Sequence, residues 1–327
     1  MVSYIVKRFL YMILLIVMVS AVSFFIIELP PGDYVTTYVN LLENQGIRVD
    51  EGQIASMRIM YGLDQPMPVR YFKWVSRLLR GDFGRSLYLN EKISTLMVQR
   101  IPFTIIISLT ALIVTYLLAI PIGAYSAVNK YSIVDHLVTG LCYIGVAIPS
   151  FLTALMLMYI NFRYFGFDTS GLFTQEYKLA AWSWAKFYDM LRHFPIPIIV
   201  ISMGGMARLV RIMRNCLLDE LQKQYVTTAR SKGLKEFNLL MKYPIKVAMN
   251  PIVSTIGWQL PYIVSGSIIA SIVLDLPLIG NLLYTSLLSQ DTYLAGSIVL
   301  VLSALTVVGT FISDILLIFV DPRIRYR

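Results

Sequence analysis

The side chains able to do acid–base, nucleophilic or metal chemistry are few in this sequence and far apart. Its histidines, His136 and His193, fall at the ends of separate apolar stretches, and its cysteines, Cys142 and Cys216, sit in or beside such stretches. No Cys-x-x-Cys, His-Glu-x-x-His or Gly-x-Ser-x-Gly arrangement occurs, so neither a metal cluster nor an activated nucleophile is readable. No Gly-x4-Gly-Lys-Ser/Thr loop occurs either, so the chain is not expected to hydrolyse a nucleotide itself. The acids nearest to apolar runs are Glu28, Asp275 and Asp314. Glu28 and Asp275 read as local capping or pairing groups. Asp314 is expected to form a structural buried pair with a Lys or Arg of the central basic loop. What the spacing does offer is mechanical. Leu218, Leu221, Tyr225 and Ala229 are three, four and four apart, which predicts a short helix with one apolar stripe. Gly233 would cap it in the left-handed conformation, with Arg230 and Lys232 in its last turn. A second amphipathic stretch runs through Phe237, Leu240 and Met241 to Pro244. Such a capped helix can enter a groove on a partner or lie flat on anionic lipid, and spacing does not choose between them.

The elements that must carry this segment follow from composition. Of 327 residues, 57% are hydrophobic and 14% charged, against roughly 45–50% and about 25% in soluble domains. Mean hydropathy is +0.68. Too few charges remain to coat a soluble surface, which excludes a soluble enzyme, a disordered chain and a nucleic-acid-binding domain. The net charge of +9 is then expected to face lipid head groups. Uncharged runs of 19, 29, 26, 28 and 22 residues follow Arg8, Arg100, His136, Lys246 and Asp291. Each meets the need for about 20 apolar residues to cross about 30 Å of hydrocarbon. A sixth span is expected over 194–213, where Arg208 and Arg211, with Arg214 just beyond, share one face and snorkel to head groups. The long, non-alternating runs predict helices rather than barrel strands.

Orientation follows from Lys and Arg in the short connections. Fifteen lie on the side of both termini, nine of them between 208 and 246, and four on the other side. Both termini are therefore expected in the cytoplasm. The first apolar run is too long for a signal peptide and lacks a small-x-small site before Pro30, so it is expected to stay as a span. Residues 1–29 form the tail and first span, 30–100 a long external segment, and 101–327 a core of five spans with a cytoplasmic loop at about 215–246. In the external segment Asp50 and Gln53 suggest a capping box for a helix that Gly62 closes. A second helix should follow Pro66 and Pro68 and end at Gly81. Val69, Phe72, Val75 and Leu79 mark its apolar stripe, beside Arg70, Lys73, Arg77 and Arg80, as in an interfacial helix. Those cations are expected to meet head groups rather than to attract substrate.

The run Tyr225-Val226-Thr227-Thr228-Ala229-Arg230-Ser231-Lys232-Gly233-Leu234 resembles the coupling loop of ABC importer permeases of the oligopeptide/dipeptide branch. Further marks lie along the chain in order: Pro31-Gly32-Asp33, Tyr61-Gly62-Leu63-Asp64-Gln65-Pro66, Gly81-Asp82-Phe83-Gly84-Arg85-Ser86, Ile148-Pro149-Ser150-Phe151 and Asp321-Pro322-Arg323-Ile324-Arg325. The resemblance implies an all-α polytopic permease of six spans with the type I importer fold, in a bacterial or archaeal cell membrane (the inner membrane of a Gram-negative cell). It implies a second, similar permease, two cytoplasmic ABC ATPases that use ATP and Mg, and an extracytoplasmic substrate-binding protein. It implies no cofactor, metal or nucleic acid bound by this chain, and no catalysis by it. Tyr225, Val226, Thr227, Thr228, Ala229, Arg230, Lys232, Gly233 and Leu234 would couple to an ATPase. Pro149, Ser150 and Phe151 in the third span, with Gln259 and Tyr262 in the fifth, are expected on the translocation path, because they put helix-breaking or polar groups inside apolar helices. Two places depart from the family pattern. Thr227-Thr228-Ala229 stands where the general motif begins Glu-Ala-Ala. Pro277-Leu278-Ile279-Gly280 stands where Pro-Gly-x-Gly is usual, so that external turn is expected to differ in shape. The substrate would be a peptide, with oligosaccharides or nickel complexes as alternatives within the branch. An ion-coupled secondary transporter is the alternative of another class, and no inverted repeat is visible to favour it.

Overall fold

A computed structural model describes residues 2–29, 31–166 and 169–320, with side chains outside 2–5, 27, 41, 257–258, 260–261 and 312–320. The Asp314 side chain and the motif at 321–325 therefore lie outside the described residues. The described residues form sixteen helices and no strand beyond one isolated bridge, Arg85 to Lys92. They run α1 (Val2–Glu28), α2 (Tyr34–Asn44), α3 (Glu51–Tyr61), α4 (Met67–Leu78), α5 (Ile93–Val128), α6 (Ile133–Ala147), α7 (Ser150–Phe165) and α8 (Gln175–Lys178). Then come α9 (Trp184–His193), α10 (Pro195–Leu221), α11 (Gln224–Ser231), α12 (Glu236–Lys242), α13 (Pro244–Ser254), α14 (Ile256–Val273), α15 (Ile279–Leu288) and α16 (Thr292–Val320). The chain divides into two compact units, one built on Ile105–Leu276 and the other on Val6–Thr104 with Pro277–Val308.

Four stretches are long and apolar enough to cross a membrane: Val6–Ile26, α5, α10 and Thr292–Phe311. The run after His136 is not the straight span its length predicts. It breaks into α6 and α7, bent by 108°. Pro149 lacks an N–H and excludes Ile148 from the helical region, and Ile148 accordingly takes φ −79° and ψ 124°. Counted as one, the bent pair makes a fifth span. The run after Lys246 is likewise divided, into α13 and α14. Pro251 lies inside α13, and Thr255 donates its hydroxyl back to the Ile252 carbonyl at 2.6 Å, a bond that bends helices. The same hydroxyl meets Tyr116 of α5 at 2.7 Å.

In the unit built on Val6–Thr104, α3 starts and stops where the sequence predicts, α4 ends at Leu78, short of Gly81, and α2 was not foreseen. Asp50 caps α3 and Gly62 closes it at φ 67°, but Asp50 accepts from Gly52 N–H, and no reciprocal Gln53 bond completes a capping box. Helix α4 differs more. Its buried face carries Arg70 and Trp74, while Phe72 and Leu79 of the expected stripe are exposed. Arg70 donates two bonds of 2.7 Å to Glu28, and Trp74 packs on Phe24 beside Tyr71. So Arg70 is held by a carboxylate rather than by head groups, and Glu28 has the pairing role expected of it. At Pro277-Leu278-Ile279-Gly280, Leu278 is buried with φ −99° and ψ 166°. This is extended backbone that needs no glycine.

The other unit packs around α10. Leu209, Met213 and Leu217 of α10 are fully buried in one cluster with Ala119 of α5 and Ala248 and Ile252 of α13. Gly123 of α5 lies close against α10. A Cβ there would lie 2.7 Å from the Val210 carbonyl, which is backbone and cannot turn aside. Gly123→Ala is therefore expected to separate α5 from α10 and to cost about 1–3 kcal/mol. A lower thermal midpoint of the purified protein checks this, and an unchanged midpoint refutes the close packing.

Candidate functional site

At its far end α10 does not continue into the helix that the stripe predicts. Lys223 is extended (φ −78°, ψ 148°) and separates Leu218 and Leu221 from Tyr225 and Ala229. The first two pack on the α10 core, and the last two belong to a separate cluster. No proline or glycine makes this break. Glu220 holds it, accepting from the Lys223 ammonium and the Tyr225 hydroxyl, each at 2.6 Å. Burial, followed by this bond to a carboxylate, pushes the Tyr225 hydroxyl up to about 12. Helices α11 and α12 then form a hairpin with its own small core of Val226, Ala229 and Leu239, packed by Tyr225 and Tyr243. Gly233 turns the chain between them at φ 77°. Arg230 donates to both Glu236 oxygens across the turn and holds that carboxyl below its ordinary range. In α12 the sequence stripe is displaced: Leu239 is buried, whereas Phe237 and Met241 are exposed, 73% and 53%.

The expected coupling residues thus divide into two kinds. Val226 and Ala229 fasten the hairpin from inside, and Tyr225 ties it to α10. Thr227, Thr228, Arg230, Lys232, Gly233 and Leu234 are exposed, and with Phe237 and Met241 they form its outer surface. The hairpin is rooted at both ends, in α10 through Glu220 and in α13, which follows at Pro244. Displacing it must move both helices.

The three arginines of α10 each meet a side chain of another helix. Arg214 donates two bonds of 2.7 Å to Asp135, a carboxylate buried at the start of α6. Asp135 also accepts from Ser126 of α5 and from the Tyr131 N–H. Arg211 lies over the Tyr143 ring at 5.5 Å, and Arg208 over Tyr262 at 4.9 Å. Each of the three cations thus has an aromatic face or a carboxylate from another helix as a partner, which the expectation of contact with head groups alone did not include. Sequence reasoning missed Asp135, since it borders an uncharged run and resembles a loop acid. The signal was available: Ser132 caps α6 by accepting from Asp135 N–H, which puts the carboxylate on the first turn.

Beside Arg208 the bend between α6 and α7 opens a cavity of about 200 Å³. Pro149, Ser150 and Tyr262, three of the five expected path residues, line it together with Gly145, Gly204 and Arg208. Phe151 is half-exposed and is not on its wall, nor is Gln259. Gln259 is fully buried against Gly205, where a Cβ would fall 2.0 Å from its amide nitrogen. Neither its amide nitrogen nor its oxygen has a hydrogen-bond partner. Among the described residues no group of three His, Cys, Asp or Glu is placed to hold a metal.

A chain whose described residues are helical, with several membrane-length helices, a bent span and a helical hairpin with its own small core, is a multi-pass membrane transport protein. It belongs to the family of binding-protein-dependent transport system inner membrane components, whose model matches residues 119–326. The N-terminal model of such membrane components matches residues 1–110. The chain is 32% identical to the oligopeptide transport system permease protein AppB of Bacillus subtilis over the full length of both. It is 29% identical to the inner membrane ABC transporter permease protein YejB of Escherichia coli O157:H7, covering 99% of each. It is 28% identical to the dipeptide transport system permease protein DppB of Lactococcus lactis, covering 99% of this chain and all of that one. In fold it is similar to a chain of the inward-facing MetNI methionine ABC transporter, with a TM-score of 0.55 at 15% identity over 70% of this chain and 97% of that one.

Proposed function

We propose that this chain is a translocation subunit of an ATP-driven importer of oligopeptides or dipeptides. Similarity along the whole chain to permeases of oligopeptide and dipeptide systems supports the substrate class. The observation that carries the mechanical part is the α11–α12 hairpin. It is sealed internally by Val226, Ala229 and Leu239, exposes Leu234, Phe237 and Met241 among polar and basic residues, and is anchored in two core helices. The chain crosses the cell membrane six times with both termini in the cytoplasm, α13 and α14 supplying the span beyond the five above. Helix α14 alone has 18 residues, about 27 Å at 1.5 Å each. In a Gram-negative cell this is the inner membrane. Residues 101–327 form the working core, and 30–100 lie outside.

The partners are a second permease, two cytoplasmic ATPases that use ATP and Mg, and an external binding protein. The exposed coupling residues dock on an ATPase. Its nucleotide cycle moves the hairpin, and α10 and α13 with it, so ATP binding biases the bundle between inward-open and outward-open arrangements. The path passes the bend at Pro149, Ser150 and Phe151 and the α14 residues Gln259 and Tyr262. Purification from membranes with a tag on this chain tests the assembly. The two ATPases and a second permease are expected to come with it, and peptide uptake into vesicles should need all of them plus the binding protein. Uptake by this chain alone on an ion gradient would overturn the proposal.

A further inference from the structure

Among the described residues, buried side-chain atoms without a hydrogen-bond partner fall singly, on Arg70, Trp74, Ser108, Thr169 and Ser297, except at Gln259. There Oε1 and Nε2 are both unmet, and the residue is fully buried. Ser202 of α10 and Ser267 of α14 show the ordinary solution, donating back to the Ile198 and Val264 carbonyls of their own helices. Each unmet donor or acceptor carries its full desolvation cost, and in a native protein each asks for a reason. The amide is seated on tandem glycines of α10. A Cβ at Gly205 would fall 2.0 Å from Gln259 Nε2, and one at Gly204 would stand 3.0 Å from the Tyr262 hydroxyl. Glycine weakens a helix interior, so the pair is explained by the close approach of α14 rather than by helix formation. Helix α14 starts at the Thr255 break, one turn before Gln259, whose N–H meets the Thr255 carbonyl at 3.0 Å. Element ends of this kind serve as hinges, so α14 can leave its seat without unfolding. Gly204 and Tyr262, beside the contact on either helix, already line the cavity at the α6–α7 bend. Parting α10 from α14 therefore opens the amide to that cavity and ends its desolvation cost.

We infer that the contact of Gln259 with Gly205 is a catch that opens in each transport cycle, with the unmet amide biasing α14 away from α10. A bias between two arrangements needs a group whose free energy differs between them, and this amide is such a group. Gln259 is then a positioning residue that acts by leaving its seat, and an apolar residue of the same length would hold the catch shut. The inference rests on the importer reading above.

The test uses the whole assembled transporter in proteoliposomes, with Cys142 and Cys216 replaced by alanine and Gln259→Cys added. Its modification by N-ethylmaleimide is compared between nucleotide-free and vanadate-trapped ATPases. The rates are expected to differ at least about tenfold, because one of the two conditions keeps position 259 against Gly205 and the other does not. Equal rates overturn the inference. Gln259→Met is then read in the protecting condition, with both cysteines restored. It removes both unmet atoms and keeps the length of the side chain. The thermal midpoint is expected to rise by about 2–4 °C while peptide uptake falls about tenfold. A merely structural residue would not raise stability and lower transport together. A midpoint that stays or drops, or uptake at the wild-type rate, overturns the inference. If one variant fails to assemble, the other decides. Wild type that imports no peptide would overturn the importer reading instead, a result distinct from these.

Discussion

Asp135→Ala is expected to destabilise the protein by about 3–5 kcal/mol, because it strands a largely buried guanidinium with no carboxylate. Arg214 keeps only 20% of its side-chain surface exposed, and the Asp135 side chain 3%. Four donors converge on that carboxylate: Arg214 Nε and Nη2, the Ser126 hydroxyl and the Tyr131 N–H. Its loss therefore frees α6, α10 and the end of α5 from one another at a single point. The measurement is the thermal midpoint and inactivation rate of the purified complex. Asp135→Asn should lie between wild type and Asp135→Ala. The double variant Asp135→Ala with Arg214→Met should recover much of the loss, since the cost comes from the uncompensated charge more than from the missing attraction. A double variant as damaged as the sum of its singles would show that the pair is not coupled in this way.

Ala229→Trp is expected to reduce peptide uptake at least about tenfold while the permease still reaches the membrane. Ala229 faces Val226 and Leu239 in a core of three buried residues, too small to absorb an indole by rearrangement. Overpacking even a large core costs about 1–3 kcal/mol. Here the strain falls on the hairpin alone, and opening the hairpin relieves it. The spans, whose buried cluster lies along α10 and α13, should keep their stability within about 0.5 kcal/mol of wild type. Gly233→Val should act in the same direction through the backbone, because φ 77° is costly for a β-branched residue. Exposed Thr228→Ala is the contrast, and uptake close to wild type is expected. Loss of uptake through collapse of the whole protein, rather than loss with spans intact, would contradict this account of Ala229.

The sequence made legible what depends on local chemistry. Uncharged runs located the apolar helices, Gly62, Gly81 and Gly233 located the left-handed caps, and Pro149 stood out as a helix-breaking residue although its run read as one span. The short motifs along the chain pointed to the family. Properties set by tertiary partners were not legible. The stripe through Leu218, Leu221, Tyr225 and Ala229 has helical spacing, yet Glu220 draws Lys223 and Tyr225 to itself and ends the helix between them. The arginines of α10 read as snorkelling because their partners, Asp135, Tyr143 and Tyr262, come from distant segments. On α4 an aromatic contact to Phe24 and a carboxylate at Glu28 decided which face is buried, against the apolar count. Of the five expected path residues, the three on the cavity wall meet at the bend. Phe151 points away because successive residues on a helix lie about 100° apart.

The most direct test puts a photo-crosslinking residue at Phe237, on the outer face of the hairpin, in membranes actively importing peptide. An ATPase subunit should be captured, with a yield that changes between ATP-bound and nucleotide-free conditions, and the same probe at buried Val226 should capture none. Import that proceeds while Phe237 and its exposed neighbours never capture an ATPase would leave the hairpin without its assigned work and contradict the account.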